Sequence, residues 1–311
     1  MATKYFEIKD EQSWLEKRKK YVTSTEVAAL FGVSPYMTAF ELWHIKRGNI
    51  DPVDLSGDNF IRFGKLVEPV IVQMILLENP SWKIEPCTVF AYDDVDGIGS
   101  SFDYYIEIDG RKGLLEIKST SYGEYKRKYD DDEAPVHYEI QSQVELEMMP
   151  DAQFVMQVAY LADTRTLKYI PRERDADMGK AMRKAVRDFW AMEKPPEIDY
   201  ARDKSVLAKV APKFDENNIM DATQNTRISE LAAMYKAEKE LEKQSSQNAD
   251  KFYTELMALL GTARYAWTND YKITATDVKP NDGYRITQDM VGQAMGARSG
   301  YKKLTITEVK K

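Results

Sequence analysis

At 311 residues, with 43% hydrophobic and 31% charged residues, the chain has a globular balance and exceeds one typical domain. A single cysteine, Cys87, and two histidines, His44 and His137, exclude disulfides, cysteine-held iron–sulfur clusters, zinc fingers and His-rich zinc sites, so any metal must be held mainly by oxygen. The net charge of −7 argues against a uniformly basic nucleic-acid coat, though not against a local basic channel. With no bilayer-length apolar run and no leader pattern, a cytoplasmic protein without membrane contact is expected.

Residues 10–20 read as a short helix ending in Lys17-Arg18-Lys19-Lys20. Thr23-Ser24-Thr25-Glu26 then opens a second helix: Thr23 as N-cap and Glu26 three residues on make a capping box, and Gly32 suits the C′ position. Its hydroxyl-rich start is either an ordinary capped end or, with Arg18 nearby, an anion site. Beyond Pro35, residues 40–48 form another short helix that packs through Phe40, Leu42, Trp43 and Ile45. Residues 51–58 are a loop. A long helix over 60–77 places Phe63, Leu66, Val67, Val70, Ile71, Met74 and Leu77 broadly on one side. Glu68, within it, is either a partly exposed acid beside Pro69 or an acid directed into a site.

Residues 82–91 read as one strand, followed by a hairpin and then a polar loop from Thr120 to Glu133. That loop carries Lys126-Arg127-Lys128 and a run of acids, and each basic cluster is either a solvated face or a phosphate contact. Pro135 opens a helix in which Tyr138, Gln141, Val144, Glu145 and Met148 recur at helical spacing. Strands at 154–161 and 166–170 pair, and an amphipathic helix over 176–192 ends at Lys194-Pro195-Pro196. Residues 195–221 have linker composition. One helix spans Thr226–Leu260, stopped by Gly261, with Ile228, Leu231, Met234, Leu241, Phe252, Leu256 and Leu259 as its stripe; the lapse over 242–250 tells against a strict coiled coil. A hairpin (264–267 and 271–275) and a closing strand (303–308) complete the chain. The expected organisation is a core over 1–200, a linker over 201–221 and an extension over 222–311.

The chemistry concentrates in the hairpin. Asp109-Gly110 suits a two-residue type I′ turn; pairing Ile108 with Arg111 and counting outward sets Asp103 opposite Glu116, with Lys118 on the same face and Leu115 and Ile117 on the other. Facing like charges are unfavourable in a sheet, and a divalent cation would resolve the conflict. The alternative is a solvated hairpin in which Lys118 balances two acids. No Walker A loop or dinucleotide fingerprint competes, since Gly64-Lys65 and Gly97-Ile98-Gly99 are spaced wrongly.

Trp14-x-x-x-Arg18, Val22-Thr23-Ser24-Thr25-Glu26-Val27, Gly64-x-x-x-Glu68, Ser101-Phe102-Asp103, Leu115-Glu116-Ile117-Lys118 and Tyr138-x-x-Gln141-x-Gln143 occur in that order. Together they resemble the YqaJ-like viral recombinases, relatives of phage lambda exonuclease within the PD-(D/E)XK nuclease superfamily. Phe102 stands where the nominal motif has proline. The resemblance covers roughly residues 10–195, and the tail is similar to the extension of longer members.

The resemblance implies an α/β fold with a restriction-endonuclease-like PD-(D/E)XK core, a mixed sheet flanked by helices, plus a long C-terminal helix and small β extension. Carried over by position, it implies that Asp103, Glu116 and the Ile117 carbonyl bind Mg²⁺, with Mn²⁺ as a substitute, and that Glu68 completes the acidic cluster. Lys118 and Gln141 would serve the attacking water and the phosphate, while Arg18, Ser24 and Thr25 would receive a DNA 5′-phosphate. The implied activity is a 5′→3′ exonuclease on double-stranded DNA ends, acting as a ring-shaped homo-oligomer, a trimer, that leaves 3′ overhangs for a single-strand-annealing recombinase in a bacterial or phage-infected cytoplasm. The alternatives are a structure-specific endonuclease or resolvase, and a non-catalytic scaffold that uses the long helix to dock a partner.

Overall fold

The computed structural model describes residues 3–55, 57–129, 133–212, 215, 217–279 and, for the backbone, 301–308. It divides into two units, Met1–Lys213 and Phe214–Lys311.

In the first unit the elements run β1 (Lys4–Glu7), α1 (Glu11–Lys19), β2 (Val22–Thr23), α2 (Ser24–Leu30), α3 (Ala39–Lys46), α4 (Asn59–Glu78), β3 (Lys83–Pro86), β4 (Val89–Asp93), β5 (Ile98–Ser101), β6 (Tyr104–Ile108), β7 (Arg111–Thr120), α5 (Tyr122–Lys128), α6 (Val136–Met148), β8 (Phe154–Leu161), β9 (Thr166–Glu173), α7 (Ala176–Ala191) and α8 (Lys204–Val210). The main sheet has the order β3-β6-β7-β8-β9, and β1-β4-β5-β2 makes a smaller one. Strands β3, β6 and β7 pair antiparallel, with β4 and β5 of the smaller sheet intervening in the chain, and β8 then lies parallel to β7 after the α6 crossover. A helix, three antiparallel strands, a second helix and a parallel strand form the mixed, helix-flanked core that the resemblance implies.

Alternation along the central strands sorts the apolar side chains into two cores. Leu114 and Val155 face one side with Ile140 and Val144 of α6. Leu115, Ile117, Met156 and Val158 face the other with Ile71, Val72 and Ile75 of α4. Glu116 has the parity of Leu114 and therefore lies on the α6 side.

Several local expectations hold. The hairpin register is Ile108 with Arg111 through Tyr104 with Leu115, and Asp109 and Gly110 both have positive φ, as a type I′ turn requires. Helix α2 ends in a Schellman motif: Val33 N–H donates to Ala28 O and Gly32 N–H to Ala29 O, with Gly32 at φ 69°.

Others are corrected. The expected strand over 82–91 is two strands in different sheets, parted where Cys87 N–H donates to the carbonyl of Asp103. The expected loop after Thr120 contains α5, capped by Ser121 accepting from Glu124 N–H and anchored by buried Tyr125; its acids at 130–132 lie outside the described residues. The expected α4 stripe faces outward in part: Leu77 is 82% exposed, and Phe63, Leu66 and Val70 are also exposed, as is Phe60 beside them. The face carrying Ile71, Val72 and Ile75 packs instead, against Leu115, Ile117, Met156 and Val158 of the sheet, and Glu68 lies on that face at helical spacing.

The expected linker also differs. Residues 201–213 join the first unit, where buried Asp203 accepts from Thr38 Oγ1 at 2.5 Å, Arg202 donates to Ser34 O, and Val206 is buried. A Pro pair with scattered charges reads as a linker only because its tertiary partners are far away in sequence.

The second unit contains α9 (Thr226–Leu260), β10 (Tyr265–Trp267), β11 (Tyr271–Val278) and β12 (Tyr301–Glu308). Asn225 caps α9 by accepting from Ile228 N–H, and Gly261 at φ 55° ends it. β11 pairs antiparallel with both neighbours. Among the described residues no helix is long and apolar enough to cross a membrane.

Candidate active site

The hairpin ladder stops at Tyr104 and Leu115, and Asp103 sits just before it in a bend. The expected Asp103–Glu116 pairing is therefore not a ladder pair. Instead Asp103 Oδ2 reaches across and accepts from Ile117 N–H at 3.0 Å, which pins its carboxylate beside the edge that Glu116 and Lys118 share.

Lys118 Nζ donates to Glu116 Oε1 at 2.5 Å, and Gln141 Nε2, arriving from α6, donates to the same oxygen at 2.7 Å. Glu116 is 5% and Gln141 6% exposed. The ring of Tyr138 lies 4.9 Å from Lys118 Nζ, a cation–π contact that holds the ammonium from its other side, and Tyr138 shares a 3.3 Å hydroxyl–hydroxyl hydrogen bond with Tyr36.

Electrostatics bind these groups into one cluster. Burial, then the Glu116 charge, pushes the Asp103 carboxyl well above the usual carboxylate range, with Lys118 opposing. Burial and then Glu116 also raise Glu68, which places that α4 acid within electrostatic reach of the same charges. For Lys118, burial pulls downward, but Glu116 and Asp103 outweigh it and hold the ammonium charged.

The donor set suits a hard cation. Among the described residues no three of His, Cys, Asp and Glu are grouped as a cage, yet Mg²⁺ is commonly held by one or two carboxylates with water and phosphate oxygens completing its shell. Glu116 takes its hydrogen bonds on Oε1 and Asp103 on Oδ2, so among the described residues the second oxygen of each acid accepts no hydrogen bond.

This crowding has a stability consequence. A carboxyl whose pKa rises on folding binds its proton more tightly in the folded state, so its contribution to stability falls as pH climbs from the ordinary carboxylate range toward the raised value. Asp103→Asn, which can still accept from Ile117 N–H, is expected to be more stable than wild type at neutral pH by about 1–2 kcal/mol, with the gain shrinking in acid. Urea denaturation in EDTA at two pH values checks this; a variant weaker at neutral pH contradicts it.

A second cluster forms where α1 meets α2. Arg18 donates to Thr23 Oγ1 at 3.3 Å and Thr25 Oγ1 at 3.4 Å, and its guanidinium lies 4.8 Å from the Trp14 ring. The nearby acid Glu26 is committed elsewhere, to Lys46 at 2.8 Å and to Thr23 N–H. Arg18 thus has hydroxyls, and among the described residues no ion-paired carboxylate. Burial lowers its pKa, with Glu26 opposing, but an arginine remains charged at neutral pH.

Ser24 is not part of this cluster. It is 3% exposed and accepts from buried Ser100 Oγ at 2.8 Å, so its hydroxyl serves the packing of α2 on β5. Because α2 has only seven residues, its end adds little dipole, and the side chains carry the positive character.

Sequence reasoning assigned no role to Glu145, which is 1% exposed and accepts from Gln141 Nε2 at 2.8 Å. Its signal was an acid one helical turn beyond Gln141, set between Val144 and Leu146. Gln143 of the same motif proves structural: its amide donates to Glu173 O and accepts from Asp175 N–H.

Residues 13–149 match the YqaJ-like viral recombinase domain. The chain is 24% identical over 264 residues to Uncharacterized protein YqaJ of Bacillus subtilis (strain 168), spanning 83% of this chain and 81% of that protein. Among solved structures it is similar to an alkaline exonuclease (LHK-Exo) from Laribacter hongkongensis, at 19% identity and a TM-score of 0.46, over 58% of this chain and 91% of that one. It is also similar to a phage related exonuclease from Haemophilus somnus 129PT, at 12% identity and a TM-score of 0.41, over 55% and 93%.

Proposed function

We propose, from the match of residues 13–149 to the YqaJ-like viral recombinase domain, that the chain is a Mg²⁺-dependent 5′→3′ exonuclease acting on double-stranded DNA ends. The observation that carries this reading is the convergence of Asp103, Glu116, Lys118 and Gln141. Asp103 and Glu116, with the Ile117 carbonyl, would hold the ion, and Glu68 would add charge from α4. A bound Mg²⁺ supplies Lewis acidity toward the phosphoryl oxygens and makes water a better nucleophile.

The remaining work falls to side chains. Lys118, fixed between Glu116 and Tyr138, presents a preorganised positive charge where negative charge grows on the phosphoryl oxygens in the transition state. Gln141, both N–H groups committed to carboxylates, keeps Oε1 to accept a hydrogen bond from the attacking water. Arg18 with Thr25 receives the terminal 5′-phosphate and thereby sets the direction of travel.

On this reading the chain works as a ring-shaped homo-oligomer, a trimer, and passes 3′ single strands to a single-strand-annealing protein. The exposed apolar edge of α4, with Phe60, Phe63, Leu66 and Val70, supports self-association.

The test is digestion of linear duplexes bearing a 5′-phosphate or a 5′-hydroxyl, beside covalently closed circles, in Mg²⁺ and in EDTA. Mononucleotide release from the 5′-phosphorylated duplex in Mg²⁺ alone is expected, with circles untouched. Release in EDTA, or cutting of circles, overturns the reading.

A further inference from the structure

We infer that Glu145 is a positioning residue that fixes the orientation of the Gln141 amide; the inference rests on the nuclease reading above. Gln141 Nε2 has two N–H groups, one given to Glu116 Oε1 at 2.7 Å and the other to Glu145 Oε1 at 2.8 Å. An amide whose two donors are both held by carboxylates can present only its oxygen to the site. Released on the Glu145 side, the amide can turn an N–H toward the attacking water, which would occupy the lone pair that must reach phosphorus.

The setting of Glu145 makes a purely structural role costly. It is 1% exposed, between Val144 and Leu146, and among the described residues no cation lies within ion-pairing distance of it. A carboxylate in such surroundings is expensive to bury, and Gln141 is the hydrogen-bond partner it has. Residues one turn apart on a helix share a face, so Glu145 can steer Gln141 without touching substrate.

The experiment measures kcat and KM on a 5′-phosphorylated linear duplex in Mg²⁺ for wild type, Glu145→Leu, Glu145→Gln, Gln141→Leu and the Gln141→Leu/Glu145→Leu double variant. Glu145→Leu should lose about tenfold in kcat, the scale of a buried hydrogen bond, with KM little changed. Glu145→Gln, whose amide oxygen still accepts, should recover most of that loss. The double variant should be no slower than Gln141→Leu, because a residue acting only through another is not additive with it.

A second measurement needs no catalysis. In ¹⁵N-labelled, metal-free protein the Gln141 side-chain amide signal, identified by its loss in Gln141→Leu, should move in Glu145→Leu and return toward its place in Glu145→Gln. Full kcat in Glu145→Leu, additive losses in the double variant, or an unmoved amide signal overturns the inference. An inactive wild type instead removes the nuclease reading, and this inference with it; an active wild type beside an unaffected Glu145→Leu removes only the inference.

Discussion

Purified Lys118→Met protein is expected to release no nucleotide above background from a 5′-phosphorylated duplex in Mg²⁺, a loss of at least about a thousandfold, while remaining folded. The size follows from the site. Removing a single preorganised donor from a transition state typically costs 10²–10³ in kcat, and Lys118 also neutralises Glu116 at 2.5 Å and offsets the charge of Asp103. Removing it leaves two acids mutually repelling without a counter-charge.

Stability changes less than activity. Stranding a buried acceptor costs about 1–3 kcal/mol, within the margin of a domain whose stability is about 5–15 kcal/mol. Glu116→Gln should be equally inactive but better tolerated, since the amide oxygen still accepts from Lys118 and a buried charge is gone. Circular dichroism and a urea transition alongside the digestion separate a dead site from an unfolded chain. Retained Mg²⁺-dependent digestion by either folded variant removes both residues from the catalytic assignment.

Arg18→Ala is expected to erase the preference for a 5′-phosphate over a 5′-hydroxyl while leaving a slow, end-indifferent activity. Arg18 is a partly desolvated guanidinium on the Trp14 ring, answered by the Thr23 and Thr25 hydroxyls rather than by an acid, because Glu26 is taken by Lys46. Such a cation gains most from an incoming dianion. Hydrogen bonds to charged groups are worth about 1.5–3 kcal/mol, so the ratio of rates on the two substrates should fall about ten- to hundred-fold.

Arg18→Lys should restore only part of the ratio, a point charge lacking the planar fork that spans phosphate oxygens. Ser24→Ala should leave the ratio unchanged, since that hydroxyl faces Ser100. The rate ratio, rather than either rate alone, is the measurement. A ratio unaltered in Arg18→Ala places the terminal phosphate elsewhere.

What the chain determined on its own was local. The type I′ turn at Asp109-Gly110, the capping partner Glu26, the C′ glycine of α2 and the extent of α9 all depend on residues within a few positions of one another. The motif set likewise picked out Asp103, Glu116, Lys118 and Gln141 as a group, each carrying its residue type at a recognisable spacing, and the fold brings their side chains together.

Tertiary structure decided everything that depends on a distant partner. Whether Ser24 or Thr25 faces Arg18 turned on where Ser100 of β5 lies. Whether α4 buried its Phe63 edge or its Ile71 edge turned on which of them the sheet met, since apolar periodicity in that helix runs on both faces. The segment after residue 200 read as a linker until Thr38 and Ser34, more than 160 residues earlier, supplied partners for Asp203 and Arg202. The chain from Glu145 through Gln141 to Glu116 became visible only when α6 crossed the sheet, for a one-dimensional pattern records which side chains share a helix face but not what that face meets.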